Sequence, residues 1–197
     1  MAIEIFEEDI SNLTEYAAIP IAFTVTREFR TDLLANGDPF SASDPRAVLV
    51  ETPAAAYIKD YDAIPGEGPD TWMSRWDLSH WGVLAAFEDG VRVGGAAIAW
   101  RTPEVTDLGA GGDETAVLWD LRVHPAHRSR GVGRRLVGEA FAWARARGCS
   151  KMEVETQHIN VSACRLYERM GFELTGIDKD GYGDGLDEAR LIWVKEL

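Results

Sequence analysis

The chain is short of what a membrane-bound or secreted protein needs. It has two cysteines, Cys149 and Cys164, among 197 residues. Their number and spacing suggest neither a disulfide framework nor a metal site. They read as buried thiols of a reducing compartment, which points to the cytoplasm. No run of 18 or more apolar residues occurs, and the opening MAIEIFEEDISN lacks the basic flank and apolar stretch of a leader. Neither a membrane partner nor a secretory signal is therefore expected. Basic residues are scarce as well: Lys+Arg 20 stand against Asp+Glu 33, a formal net charge of -13. Generic nucleic-acid binding needs a basic face, so no nucleic-acid partner is expected. The surplus of acid suits a solvated surface or a cleft that draws a cationic substrate. There is no internal repeat, and the ordinary apolar and charged fractions fit one domain over 1–197 with a sizeable core.

Turn signals at NGDP (36–39), SDP (43–45) and PGEGPD (65–70) divide residues 1–80 into small elements. IAFTVTREF (21–29) is strand-like in its first half, and VLVE (48–51) is a second short candidate. The aromatics of YIKDYD (57–62) and PDTWMSRWDLSHWG (69–82) suit core packing or a wall beside a substrate. From Trp81 the pattern sharpens. GVLAAF and VRVGGAAIAW flank Glu88-Asp89-Gly90 as a hairpin. A loop at 105–114 leads to a strand, AVLWDLRV (116–123). In the helix that follows, Val132, Leu136, Ala140 and Trp143 recur at helical spacing and Gly148 marks its end. KMEVET (151–156) alternates as a strand. Residues 160–170 form a second helix, capped by Asn160 or Ser162 and closed by Gly171. FELTGI and ARLIWV supply the last strands. The order predicts an α/β (α+β) fold with a mixed central sheet of about six or seven strands flanked by helices.

One stretch departs from the acidic background. RVHPAHRSRGVGRRL, Arg122 to Leu136, holds five arginines, two glycines and no acid. A strand that ends at Val123, a loop with Gly131 and Gly133 and a helix start together make an anion site. The first-turn N–H groups point outward, and the dipole favours negative charge. Glycine lets the backbone approach a phosphate, and Arg128 and Arg130 can add charge-assisted bonds from the rim. A Walker loop is absent, and Leu136 occupies the third glycine position of a dinucleotide fingerprint.

The run L-x-V-x-P-x-x-R-x-x-G-x-G, Leu121 to Gly133, is followed after 27 residues by NVSACRLYERMGF (160–172). In this order, with a strand between them, the two motifs resemble the GNAT N-acetyltransferase superfamily. The resemblance covers about 81–197 and implies a GNAT fold, acetyl-CoA as acetyl donor and an N-acetyltransferase activity. Residues 81–197 would be the acetyl-CoA-binding and catalytic portion, and 1–80 a variable acceptor-side portion. ETQHINVSACRLYERMGFELTGID, a following tyrosine and DEARLIWV are similar to the streptothricin acetyltransferases. That narrower likeness implies a small cationic amine as acceptor. A protein or peptide amine, or a sensor that binds acyl-CoA without turnover, are the alternatives.

The resemblance also assigns roles. Backbone groups of Leu121, Arg122 and Val123 would hold the pantetheine arm and polarise the thioester. Arg128, Ser129, Arg130, Gly131, Val132, Gly133 and Arg134 would receive the pyrophosphate, chiefly through backbone groups. Asn160, Ala163 and Tyr167 complete the donor side, with Tyr167 as general acid to the departing thiolate; otherwise Tyr167 is a core tyrosine. Asp120 lies in a strand that reads as buried on both faces, where a carboxylate needs a partner or a purpose. It shares a face with Arg122, so either the two pair or Asp120 serves the amine as base or ammonium ligand. By alternation Trp119 points the other way, into the core. Glu153 and Glu155 share one face of the next strand, and either line an acceptor pocket or face solvent. Asp187 and Glu188 match the subgroup's ending and add negative charge for a substrate. His124 and His127 are expected in solvent, with no metal role. A homodimer is common in the superfamily, and nothing in the sequence tests it.

Overall fold

The computed structural model describes residues 2–30, 49–106, 112–182 and 187–197. In chain order its elements are β1 (Ile3–Glu8), α1 (Leu13–Ala17), β2 (Phe23–Phe29), β3 (Glu51–Lys59) and α2 (Pro69–Arg75). Then come β4 (Gly82–Glu88), β5 (Val91–Ala99), α3 (Pro103–Thr106), β6 (Thr115–Val123) and α4 (Val132–Ala146). The last are β7 (Lys151–Gln157), α5 (Val161–Arg169), β8 (Glu173–Asp178) and β9 (Arg190–Glu196). The main sheet has seven strands in the order β1-β4-β5-β6-β7-β9-β8, and β2 and β3 pair separately. This is the α/β sheet that the element order predicted.

The chain divides into two units. One is built from the residues up to Phe23 together with Asp60–Met152; the other comprises Thr24–Lys59 and Glu153–Glu196. In the first, β1, β4, β5 and β6 pair antiparallel in sequence of neighbours. The hairpin turns at Asp89 and Gly90, both at positive φ, the conformation that a two-residue turn between right-twisted strands demands. Two glycines of β5 then set what lies on its faces. A Cβ at Gly94 would come within 3.1 Å of Val132 and Leu136, so this glycine admits α4. A Cβ at Gly95 would fall 2.7 Å from the Tyr16 ring, so this one admits α1. Val132, Leu136, Ala140 and Trp143 are buried as their spacing predicted.

Four tryptophans gather against Tyr16. Trp72 and Trp81 are buried, and Trp76 and Trp119 pack at the margin. Edge-on and tilted pairs such as Trp76–Trp119 at 5.1 Å and Trp72–Trp81 at 5.8 Å suit the ring quadrupoles. Of the two uses considered for the 69–82 aromatics, Trp72 and Trp81 serve the core.

In the second unit β8 and β9 pair antiparallel. The strand in IAFTVTREF extends to Phe29 and buries Val25 and Phe29, so its second half is extended as well. The candidate at 48–51 is displaced: the strand runs from Glu51 through PAAAYIK to Lys59. Its three alanines and a proline carry no strand signature, and Pro53 is tolerated because the ribbon has only two strands. The signals at 36–39 and 43–45, and 107–111 of the 105–114 loop, lie outside the described residues.

Candidate active site

In the first unit the chemistry gathers at the end of β6. Pairing with β5 shifts register between Ala97 and Ile98, so Trp119 is the extra residue of a bulge. A bulge breaks the two-residue alternation and re-aims side chains. Trp119 therefore joins the aromatic cluster of Tyr16, while the Tyr16 hydroxyl donates to Asp120 Oδ1 at 2.6 Å. Trp119 thus packs in the core as expected, but against the same cluster whose Tyr16 holds Asp120.

Asp120 and Arg122 do pair, and more than two groups take part. Arg122 Nε and Nη2 donate to Asp120 at 3.0 Å each, and its Nη1 and Nη2 grip both oxygens of Asp62 at 2.7 and 2.8 Å. Nη1 also reaches the Ile19 carbonyl at 3.3 Å. The Arg122 side chain is 1% exposed, Asp120 8% and Asp62 31%. Burial opposes the Arg122 charge, but Asp120 and the bonds to Asp62 hold its pKa above the ordinary arginine value. Burial, then the Asp120 charge, push the Tyr16 phenol well above its usual range, so it remains a donor. One guanidinium serves two carboxylates, which leaves the cluster one negative charge in excess. Leu121 and Val123 flank it, half-buried.

Beyond Val123 the loop has the shape of an anion receptor. Gly131 caps α4 at φ 87 with no side-chain cap, and the first turn of α4 holds no acid. A Cβ on Gly131 would meet nothing within 4 Å. The N–H groups of Val132, Gly133 and Arg134 open this helix, and Arg134 is exposed. A pyrophosphate fits such a cradle, whereas a cation does not. Ser129 is also left-handed, at φ 60, a conformation that costs a non-glycine residue roughly 1–2 kcal/mol. The arginines around it are committed within the protein. Arg128 Nε donates to the Val123 carbonyl at 2.9 Å and Nη2 to that of Pro20 at 3.1 Å, and burial pulls its pKa below the ordinary arginine value. Arg130 Nη2 donates to Glu88 Oε1 at 2.9 Å. His127 is half-buried, with Nδ1 3.0 Å from Glu88 Oε2, so of the two loop histidines His124 alone stands in solvent. Arg128 and Arg130 thus have partners within the protein that shape the loop.

The second unit holds the remaining predicted residues. Tyr167 is buried on α5, its ring 5.5 Å from Phe172. Asn160 caps α5 by accepting from Ala163 N at 3.2 Å. Glu153 is 1% exposed and Glu155 about a quarter exposed, so of the two only Glu153 is shut away from solvent. Glu155 accepts from the Tyr182 hydroxyl at 2.8 Å, and Gln157 donates to the same oxygen. Burial raises the Glu155 pKa although the Tyr182 bond opposes it. Asp187 is exposed, whereas Glu188 is buried in an ion pair with Lys59 at 2.6 Å. His158 Nδ1 accepts from Ala189 N at 2.9 Å, and burial lowers its pKa. Cys149 and Cys164 are both buried and free, and burial pushes the Cys164 thiol up to about 12.

Sequence reasoning missed Tyr16, Asp62, Glu88, Lys59, His158 and Tyr182. Lys59 and Asp62 lie inside the YIKDYD segment, Glu88 in the hairpin turn, His158 in the stretch that opens ETQHIN and Tyr182 just after that stretch, yet none had a role in a site. Tyr16 lay outside every stretch singled out. Among the described residues no helix is long and apolar enough to cross a membrane. No group of three or more His, Cys, Asp or Glu side chains among them could hold a metal ion.

The profile of the Acetyltransferase (GNAT) family matches residues 49–172, more than half of the chain. A streptothricin acetyltransferase of Streptomyces lavendulae is 28% identical over 161 residues, covering 82% of this chain and 76% of that protein. An aminoglycoside N(6')-acetyltransferase type 1 of Salmonella typhimurium is 29% identical over 115 residues, 56% of this chain and 78% of the relative. A Bacillus anthracis protein, provisionally named a streptothricin acetyltransferase and solved with acetyl coenzyme A, superposes with a TM-score of 0.73. That match covers 100% of both chains at 21% identity, and so speaks for the fold alone. With the two motifs, the α/β sheet and the anion loop in place, the chain belongs to the Acetyltransferase (GNAT) family and is an acyltransferase of the N-acetyltransferase type.

Proposed function

We propose that the protein transfers an acetyl group from acetyl-CoA to a primary amine of a small cationic acceptor, of the kind found in streptothricin-type antibiotics. The observation that carries this reading is the charge of the Asp62–Arg122–Asp120 cluster. Two carboxylates share one guanidinium at the end of the strand that feeds the anion loop. A cationic group relieves the surplus charge, and a neutral or anionic acceptor gains nothing from it. Asp62 keeps about a third of its side chain exposed, so it can meet the incoming ammonium while Asp120 stays behind it. The names of the streptothricin and aminoglycoside relatives point to the same class of acceptor.

Acetyl-CoA supplies the activated thioester. The N–H groups of Val132, Gly133 and Arg134 bind its pyrophosphate, and the backbone of Leu121 to Val123 holds the pantetheine arm. Asp120 orients the amine and takes up its proton, directly or through water. Tyr167, by its place in the family motif, gives a proton to the leaving thiolate, and Asn160, which caps α5 on the Ala163 N–H, bonds the pantetheine arm. Glu153, Glu155 and Asp187 supply further negative charge for the acceptor. Glu188 stabilises its surroundings through Lys59.

A kinetic experiment separates these roles. Asp62→Asn should raise KM for a cationic amine about tenfold, the loss of one charge-assisted contact, with KM for acetyl-CoA unchanged. Tyr167→Phe should lower kcat by about 100-fold or more, the ordinary contribution of a general acid. A wild-type KM for cationic amines in Asp62→Asn, with the preference for charged over uncharged amines retained, would refute the acceptor assignment.

A further inference from the structure

We propose that Glu88 is a positioning residue for the acetyl donor, holding the anion loop in its receiving shape. The inference rests on acetyl-CoA being the donor. Glu88 closes β4 and is separated from Arg130 by 42 positions. Its side chain is 9% exposed, and a carboxylate that far from water persists only with partners for its oxygens. Both partners come from the loop: Arg130 at Oε1, 2.9 Å, and His127 at Oε2, 3.0 Å.

What these bonds hold is the left-handed pair Ser129 and Gly131. A strained backbone conformation survives only where its surroundings over-determine it. Ser129 stands between two anchored arginines. On one side Arg128 is tied to the carbonyls of Val123 and Pro20. On the other Arg130 is tied to Glu88, the anchor that also supplies a counter-charge. At the loop's start the His124 N–H donates to the Val93 carbonyl at 2.9 Å, so the β4–β5 hairpin holds the loop at two places. Because Glu88 already matches the Arg130 charge, attraction for the pyrophosphate falls to the pre-set N–H groups of Val132, Gly133 and Arg134. Loop shape, more than loose positive charge, then sets donor affinity. The opposite arrangement has Glu88 competing with the donor for Arg130. It predicts the opposite sign: removing the carboxylate would tighten binding.

Three ligands decide, each measured by calorimetry or competition on the full chain. Acetyl-CoA carries both halves of the donor. The nucleotide fragment of coenzyme A keeps the pyrophosphate without the pantetheine arm, and S-acetylpantetheine keeps the arm alone. Glu88→Ala should raise the Kd of acetyl-CoA about tenfold, the effect of losing a charge-assisted hydrogen bond, and Glu88→Gln should raise it less. The Kd of the nucleotide fragment should rise by the same factor, and that of S-acetylpantetheine should not move. Unchanged or tighter acetyl-CoA binding would overturn the proposal. So would an equal loss for S-acetylpantetheine, which would make Glu88 a general prop of the fold. If Glu88→Ala does not fold, Glu88→Gln carries the same three measurements. A wild-type protein that binds neither acetyl-CoA nor the fragment would refute the donor reading and this inference together.

Discussion

Arg122 and Arg130 stand eight residues apart on one strand and its loop, and they carry the same group to different ends. Arg122 is 1% exposed and clasped by two carboxylates; Arg130 is 46% exposed and shares one, Glu88, with His127. The first arrangement leaves a buried site with surplus negative charge, which suits a cation. The second leaves a surface loop in which the Arg130 charge is matched and the backbone donors of the α4 start remain for an anion. A basic stretch in an acidic protein therefore does not amount to one positive patch. Within a few residues the same side chain, with different partners, marks out two sites of opposite preference.

The largest effect that would test this contrast is at Arg122. Replacing it by Met leaves Asp62 and Asp120 facing each other without their counter-ion. Stability should fall by about 3–5 kcal/mol, the cost of breaking a buried pair from one side, read as a shift in the urea midpoint. A loss below about 1 kcal/mol, the range of an exposed pair, would place Arg122 in the same class as surface ion pairs. A smaller effect belongs to the loop. Gly131→Ala should cost roughly 1 kcal/mol, because alanine resists φ 87, and should weaken acetyl-CoA binding more than it lowers Tm. Unaltered donor affinity in that variant would separate loop shape from donor binding.

The smallest effect lies in the other unit, at His158. Its folded-state pKa is lowered by burial, against the upward pull of the Glu28, Glu188 and Asp187 charges. Below about pH 6.5 the unfolded chain takes up a proton that the folded chain refuses. The stability tied to His158 is thus present above that pH and declines as pH falls through it. Asparagine can accept from Ala189 N in place of Nδ1, so His158→Asn should flatten the pH dependence of Tm between pH 7 and pH 5, by roughly one titrating group. An unchanged slope would assign the acid sensitivity to other residues.

Local signals gave much of the frame away. The turn at Glu88-Asp89-Gly90, the spacing of Val132, Leu136, Ala140 and Trp143, and the cap at Asn160 each act within a few residues and were readable. The two motifs placed the anion loop and Tyr167 in the same way. What could not be read were contacts that the fold makes across long separations. Tyr16 lies 104 positions from Asp120, and Asp62 lies 60 from Arg122, with no periodicity to link them. The bulge at Trp119 was hidden for a related reason, since a one-residue register shift depends on β5 as much as on β6. Gly94 and Gly95 looked like part of a strand, yet their meaning came from the helices that each one admits. Glu153 stayed open between pocket and solvent, because alternation with Met152 and Val154 marks a face without saying whether water reaches it.

The central claim is that an acyltransferase with a surplus of partly buried negative charge beside its anion loop acts on small cationic amines. It is tested most directly by following free thiol release from acetyl-CoA across a panel of acceptors: streptothricin, aminoglycosides, polyamines, amino acids and short peptides. The account predicts rapid turnover with streptothricin or another polycationic small amine, slow turnover with amino acids and peptides, and loss of that preference in Asp62→Asn. Preferential acetylation of peptides, or acetyl-CoA binding with no turnover of any cationic amine, would contradict it.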